Sequence, residues 1–380
     1  MKILMLNPFS ATAAVRQINL AKALCKRGNK VTLVLPLFDK YSDYKEVRVE
    51  KVKNLRVIHP KQFKSQRLEL SMLPYVPSAM KKVMKHKYDI VHSFRPTPFS
   101  GLIGEKIAQK QCIPSILEMG DLEWQTMKAL GTHPNYRIQV MQKLEKWLVS
   151  YASNIVIMNS NVGSYLIENY SGTTDEEYEA LWRSINLIPN GVDCSKFKPT
   201  KTKEFSNNKI LMFCGKLDHV SHITDMIKVM QKLDNKYRLY IIGDGEKKEV
   251  LVKLAEGLGV IDKVVFLGKV DNDKVPDTLN LADVLIAPFS NEEGVQYASN
   301  LKVFEYMAMG KPIVASNVGK MEDILFDCGY LYEPGNIKEM AKLIKKADKS
   351  IGKKARAKAL KEYDWKVLGK QLEEVYKEMI

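Results

Sequence analysis

In the stretch SNLKVFEYMAMGKPIVAS (299–316), Lys302 and Glu305 interrupt a run that is otherwise largely apolar. Leu301, Phe304, Met307 and Ala308 recur at helical spacing. The run therefore predicts a short helix lying on a core, stopped by Gly310 and Pro312 and followed by a buried strand over 313–315. Three residues apart, Lys302 and Glu305 share one helical face. A carboxylate cannot accept from an anionic phosphate, but it can accept from a vicinal diol such as that of a ribose. The lysine can neutralise phosphate, and the backbone N–H groups of Asn300 and Leu301 can hold phosphate oxygens. Diol acceptor, cation and free amides together describe a nucleoside-diphosphate site. A Lys302–Glu305 surface pair is the plainer alternative, and the apolar surroundings disfavour it.

Two further stretches offer related chemistry. In FCGKLDHVSHI (213–223) a strand ends at Gly215 and Lys216 follows at once. That cation is placed to neutralise a phosphate, unless it is simply a solvated loop lysine. In IIGDGEKKEVL (241–251) a strand ends at Gly243 and Gly245 opens a helix. This permits close backbone approach and presents helix N–H groups, though many ordinary turns read the same way.

Strands must bring these loops together, and the chain supplies them in two series. KILML (2–6), VTLVL (31–35), DIVHSF (89–94), PSIL (114–117) and NIVIM (154–158) alternate with helical runs. The pattern then restarts, with KILMF (209–213) nearly repeating KILML, followed by RLYII (238–242), VVFLG (264–268), DVLIAP (283–288) and PIVAS (312–316). Continuous apolar strands between amphipathic helices predict parallel sheets covered on both faces, an α/β class. The polar run CSKFKPTKTKEFSNNK (194–209) reads as a linker. The expected layout is a Rossmann-like domain over 1–190, a second over 191–364, and a C-terminal helix over 365–380 packing back toward the first. Two doubly wound domains would face each other across a cleft, with ligands outside the carboxyl ends of the strands.

The motifs IPNGVDCSKFKP (188–199), GDGEKKEVLVKLAEGLGVIDKVVFLGKV (243–270), LADVLIAPFS (281–290) and FEYMAMGKPIVAS (304–316) resemble those of retaining GT-B glycosyltransferases of family 4. The resemblance is strong over 185–335 and weaker over 1–130. It implies transfer of a sugar from a UDP- or GDP-sugar to an acceptor hydroxyl, with no prosthetic group and no metal. Glu305 takes the place of the final Glu of the family's Glu-x7-Glu motif and would hold the donor ribose. Amides at Asn300 and Leu301 would hold the diphosphate, and Gly243 and Val270 fall within donor-side motifs. The family's Gly-Arg-Leu becomes Gly215-Lys216-Leu217. The first Glu of the motif is replaced by Tyr297 and the second phosphate-binding Lys by Ser221, for which Lys302 is expected to compensate. Lys216 and Lys302 would stabilise the leaving group electrostatically, and the donor phosphate would take the acceptor proton. A nucleotide-sugar 2-epimerase of the same architecture is the rival enzyme. A non-enzymatic binder of anionic polymers is the rival outside enzymology.

The N-terminal half departs more from the family. After the first strand the chain reads NPFSATAAVRQ (7–17), and Arg16 would still face the cleft. His92 and Arg95 lie at the carboxyl end of a strand in HSFRPTPFSG (92–101), although a core place for His92 is the commoner outcome. In LEMGDLEW (117–124), where relatives often have a catalytic-side His, the polar candidates are Glu118 and Asp121. Either carboxylate could position an acceptor hydroxyl, and Asp121 equally suits a helix N-cap.

Charge sorts the partners. Residues 1–110 hold 22 of the 59 Lys/Arg and 7 of the 44 Asp/Glu, so they carry the whole +15 excess, while the remaining 270 residues balance at 37 of each. Such a field favours anionic partners. Residues 61–87 frame apolar Leu68, Leu70, Met72, Leu73, Tyr75, Val76 and Met80 with Lys61, Lys64, Arg67, Lys81, Lys82, Lys85 and Lys87. That pattern suits an anionic membrane surface and a lipid-linked or cell-surface glycan acceptor. Only Phe63 and Tyr75 supply aromatic rings there, which argues against nucleic acid. The five scattered cysteines predict neither disulfides nor a zinc site. With no apolar run long enough to span a bilayer, the expected location is cytoplasmic, with peripheral attachment at the inner membrane face as the alternative.

Overall fold

A computed structural model describes residues 1–8, 14–36, 49–61, 75–120, 122–129, 134–172, 174–200, 208–218, 221–297 and 299–380. The chain divides into two units, Met1–Pro189 with Trp365–Ile380, and Asn190–Asp364. Among the described residues no helix is long and apolar enough to cross a membrane.

The first unit holds seven parallel strands: β1 (Lys2–Leu6), β2 (Lys30–Val34), β3 (Leu55–Ile58), β4 (Ile90–Phe94), β5 (Ser115–Met119), β6 (Asn154–Ile157) and β7 (Ile185–Leu187). Their order across the sheet is β3-β2-β1-β4-β5-β6-β7. The second unit holds six, again parallel: β8 (Lys209–Cys214), β9 (Tyr237–Ile242), β10 (Val264–Gly268), β11 (Val284–Ala287), β12 (Ile313–Ser316) and β13 (Tyr330–Tyr332), in the order β10-β9-β8-β11-β12-β13. In each sheet the order reverses beside the first strand, between β1 and β4 and between β8 and β11. Such reversal points open a crevice at the strands' carboxyl ends. The two near-identical sequences, KILML and KILMF, thus become the strands flanking the two reversal points.

The strands read as continuous apolar runs because both faces of each sheet are covered. In β8, Leu211 and Phe213 enter one core layer with Ile241, Ile286 and Val314. Met212, between them, enters the opposite layer with Leu285, Phe304 and Tyr306. The helix Leu301–Met309 buries Val303, Phe304, Tyr306, Met307, Ala308 and Met309, positions on several of its sides, because it packs both on β11 and against residues 349–363.

The expected linker is only partly one. Phe197 and Cys194 are buried in the second unit's core, Val192 N–H donates to Tyr363 O at 2.9 Å, and Thr200 N–H donates to Asn280 Oδ1 at 2.9 Å. Three apolar anchors spaced through a polar run fix residues 192–200 to the second unit. Residues 201–207 lie outside the described residues, as do 62–74 of the basic-apolar segment. Of that segment's apolar residues expected to face a membrane, Tyr75 is wholly buried and Val76 and Met80 pack against the first unit's core, because the helix Tyr75–Val83 turns that face inward.

Candidate functional site

The loops that follow β8 and β9 touch backbone to backbone. Gly243 has φ +136, and a Cβ there would stand 1.8 Å from the Gly215 carbonyl oxygen, so only glycine fits. Gly215 N–H donates to Ile242 O at 3.0 Å and Leu217 N–H to Asp244 O at 3.0 Å. From the other side, Cys214 N–H donates to the Tyr306 hydroxyl at 2.7 Å. The end of β8 is therefore held by β9's loop and by the Leu301–Met309 helix together.

Lys302 reaches from that helix into the reversal point of the second sheet. Its Nζ lies 4.5 Å from the Phe213 ring centroid and 5.1 Å from that of Phe289, one on β8 and one just beyond β11. It donates to Ser221 Oγ at 3.3 Å. A methyl at Gly215 would stand 2.8 Å from this ammonium, so glycine is what admits it. The lysine expected to compensate for Ser221 does sit against that residue. Burial pulls its pKa down to about 8, opposed by the nearby Asp218 carboxylate.

Glu305, one turn on, has its pKa pushed up by burial to about 7, with Lys196 and Lys302 pulling the other way. Lys302 and Glu305 form no ion pair with each other or with any other described residue, and Glu305 accepts no hydrogen bond among them. A surface ion pair is thereby replaced by two desolvated groups of opposite sign that feel neighbouring charges but contact none of them. Such groups at a sheet's reversal point make a candidate binding site on physical grounds. Asn300 caps the helix in extended conformation without a side-chain capping bond, and its side-chain amide nitrogen is buried without a partner. No described residue accepts from the backbone N–H of Asn300 or Leu301.

Lys216 stands apart from this pair. Its side chain is 75% exposed and lies 3.7 Å from Asp218. Val270 is half-buried and packs on the second unit's core. Two groups that shape the site escaped the sequence reading. Asn190 Nδ2 donates to Ser299 O at 2.6 Å, fixing the carbonyl just ahead of the helix. Gln296 accepts from Gly319 N–H at 3.0 Å and donates to Asn291 Oδ1 at 2.9 Å, bracing the loop that carries Tyr297. Asn190 belongs to a quoted motif (188–199) and was a readable signal, whereas nothing local marked Gln296.

In the first unit, three of the four acceptor-side candidates do converge, but on each other. Arg16 forks onto Glu118, Nε to Oε1 at 3.0 Å and Nη2 to Oε2 at 2.9 Å. It also donates to the carbonyls of Ile188 at 2.8 Å and Pro189 at 2.5 Å. Both side chains are buried. His92 is wholly buried, stacked on Phe94, with Nδ1 2.6 Å from the Tyr376 hydroxyl. Burial first, and Arg16 second, lower its pKa to about 3, so it is neutral and its 3.6 Å approach to Glu118 is no ion pair. Arg16, Glu118 and His92 are thus buried together within the first unit, bonded there except at His92 Nε2, which has no hydrogen-bond partner. Arg95 differs: it follows β4 at φ +68, is half-buried, and its N–H donates to Glu118 O at 2.9 Å. A non-glycine residue held left-handed beside the first sheet's reversal point keeps Arg95 as the acceptor-side candidate. Asp121 lies outside the described residues.

The family model for glycosyltransferase family 4 matches residues 13–196, and that for glycosyl transferases group 1 matches residues 195–363. An uncharacterised glycosyltransferase of Methanocaldococcus jannaschii is 23% identical over 322 residues, 82% of this chain and 78% of that protein. Sucrose-phosphate synthase from Thermosynechococcus elongatus has the same fold, with a TM-score of 0.79 at 18% identity, covering 100% of this chain and 98% of that one. So does Anabaena HepE, solved in complex with UDP-glucose, with a TM-score of 0.69 at 18% identity and both chains fully covered. The two family models meet near residue 195 and together span 13–363, every strand but β1, and the chain belongs to the group 1 glycosyltransferases of the GT-B fold.

Proposed function

We propose that the protein transfers a sugar, with retention, from a nucleoside-diphosphate sugar to a hydroxyl of a lipid-linked or cell-surface glycan precursor. The observation that carries the donor half is the unpaired Lys302–Glu305 couple at the β8/β11 reversal point. Glu305 accepts from the ribose diol. Lys302 and the amides of Asn300 and Leu301 hold the diphosphate. As the glycosidic bond to the diphosphate breaks, charge grows on the leaving oxygen, and a preorganised cation in a desolvated place lowers that barrier most. The donor phosphate takes the acceptor proton, so no separate protein nucleophile is used. Anabaena HepE, solved with UDP-glucose, supports a UDP-sugar donor first. The charge excess confined to residues 1–110 supports an anionic or membrane-held acceptor.

The test is mass spectrometry of products from a panel of UDP- and GDP-sugars offered with lipid-linked and soluble sugar acceptors. Retention is read from the anomeric coupling of the product. Sugar transfer with inversion contradicts the mechanism. Release of a free epimerised sugar without any acceptor contradicts the reaction class.

A further inference from the structure

We propose that the first sheet carries a second binding site, for a phosphate-bearing anion, at the amino ends of its strands. This end lies opposite the carboxyl ends where sugar-transfer ligands are held. A cavity of about 390 Å³ opens there, lined among others by Lys2, Lys30, Thr32, Arg56, Lys87 and Tyr88, and no lining residue is acidic.

The cations are placed there by strand register. Lys2 pairs with Lys30 across β1 and β2, and Thr32 pairs with Arg56 across β2 and β3. Registered neighbours project from the same face, and so do residues two apart on one strand. Lys2, Lys30, Thr32 and Arg56 therefore share one face of the sheet edge. Like charges directly opposite one another on neighbouring strands are unfavourable without a counter-charge. Among the described residues, Lys2, Lys30 and Lys87 form no ion pair. The nearby Asp89 accepts from the Lys2 backbone N–H at 2.7 Å, and Arg56 Nη1 meets His86 Nε2.

Tyr88 supplies the second, independent observation. It is 6% exposed, and its hydroxyl is buried without a hydrogen-bond partner. The Thr32 side chain approaches it as a hydrogen-bonding neighbour without completing a well-formed bond, and the Arg56 charge lies nearby. Its backbone is fixed, since Tyr88 N–H donates to Gln111 Oε1 at 3.1 Å and Gln111 Nε2 donates to His86 O at 3.0 Å. A buried donor without a well-formed bond is costly, and an anionic oxygen in the cavity would satisfy it. The volume suits a phosphorylated headgroup or a short polyphosphate.

Inorganic tripolyphosphate is titrated calorimetrically into the full chain, and phosphatidylcholine vesicles with and without phosphatidylglycerol are tested by sedimentation. Lys30→Glu with Lys87→Glu should weaken binding by about tenfold or more. Lys253→Glu with Lys269→Glu, the same charge change placed in the second unit, should change it little. Tyr88→Phe, which keeps every charge, should weaken it several-fold while leaving the melting temperature in place. Because the proposed donor site also holds phosphate, the titration is repeated in the Lys302→Met chain, where the losses from the Lys30/Lys87 pair and from Tyr88→Phe should persist. If phosphatidylglycerol vesicles respond to Tyr88→Phe, the ligand is a lipid headgroup; if only tripolyphosphate does, it is a soluble phosphate. No binding of either probe, equal loss in the Lys253/Lys269 pair, indifference to Tyr88→Phe, or disappearance of the Tyr88→Phe effect in the Lys302→Met background overturns the proposal.

Discussion

Each unit buries ionisable side chains beside its sheet, yet the two clusters are built oppositely. In the first, Arg16 and Glu118 satisfy each other, the guanidinium finding a carboxylate and two carbonyls, and the neutral imidazole of His92 meets the Tyr376 hydroxyl through Nδ1 while its Nε2 has no hydrogen-bond partner. In the second, Lys302 and Glu305 are desolvated and lack partners beyond a single bond from the lysine to Ser221. The first arrangement holds a fold together, and the second keeps free energy in reserve for a ligand. Whether a group's partners are inside the protein separates these roles better than burial or residue type.

The contrast predicts opposite outcomes for similar substitutions. Arg16→Met leaves Glu118 as a buried, uncompensated charge, and a broken buried pair costs about 3–5 kcal/mol. Thermal unfolding should show a melting temperature many degrees lower, and an unchanged one would mean that the network is not structural. Lys302→Met removes a charge whose desolvation outweighs the pull of the carboxylates near it, so the melting temperature should hold or rise. Turnover should fall by about 10²–10³-fold, the usual loss for a donor aimed at developing charge. A Lys302→Met chain that unfolds early but turns over normally would reverse the comparison.

pH sharpens the same contrast. Donor binding needs Glu305 as carboxylate and Lys302 as ammonium. Affinity should peak between pH 7 and 8, fall below 7 as Glu305 protonates, and fall above 8 as Lys302 loses its proton. Each limb should steepen toward about tenfold per pH unit. Lys302→Met should abolish the alkaline limb and Glu305→Gln the acid limb. The stability signs agree. Glu305, raised in the fold, contributes stability below its unfolded pKa, and that is lost as pH rises through about 7. Lys302, lowered in the fold, contributes stability above its unfolded pKa, and that is lost as pH falls through about 8. Between the two, where both groups are charged, the empty site costs stability that bound donor should restore. Donor-induced thermal stabilisation should therefore be greatest in that window.

The smallest effect is expected at Lys216, exposed and tethered to Asp218. Lys216→Ala should lower turnover several-fold and more than it raises the donor KM. A change in KM alone would assign it to binding.

The sequence pattern revealed the central strands and, of the four edge strands, only β10, whose five residues VVFLG form an apolar run. β1, β4, β8 and β11 are apolar on both faces and stood out as runs. β3 (LRVI), β7 (INL) and β13 (YLY) lie at sheet edges, are only three or four residues long, and are partly exposed, so no run marked them. The Lys302–Glu305 couple was legible because both members sit on one short helix. The Arg16 network was not. Its members are far apart in the chain, Glu118 102 residues from Arg16 and Tyr376 284 residues from His92, and no local spacing joins them. Their residue types suggested chemistry, and only the fold shows that they spend it on one another.

The central claim is that Lys302 and Glu305 await a nucleoside diphosphate, and calorimetric titration of UDP and GDP into the Glu305→Gln chain and its parent tests it most directly. The substitution keeps the side chain's shape and removes only the charged acceptor, a bond of about 1.5–3 kcal/mol. The account predicts measurable binding of at least one nucleotide by the parent and affinity lower by about tenfold to a hundredfold in Glu305→Gln, with the melting temperature retained. Equal affinity in the two chains, or no nucleotide binding by the parent, would contradict it.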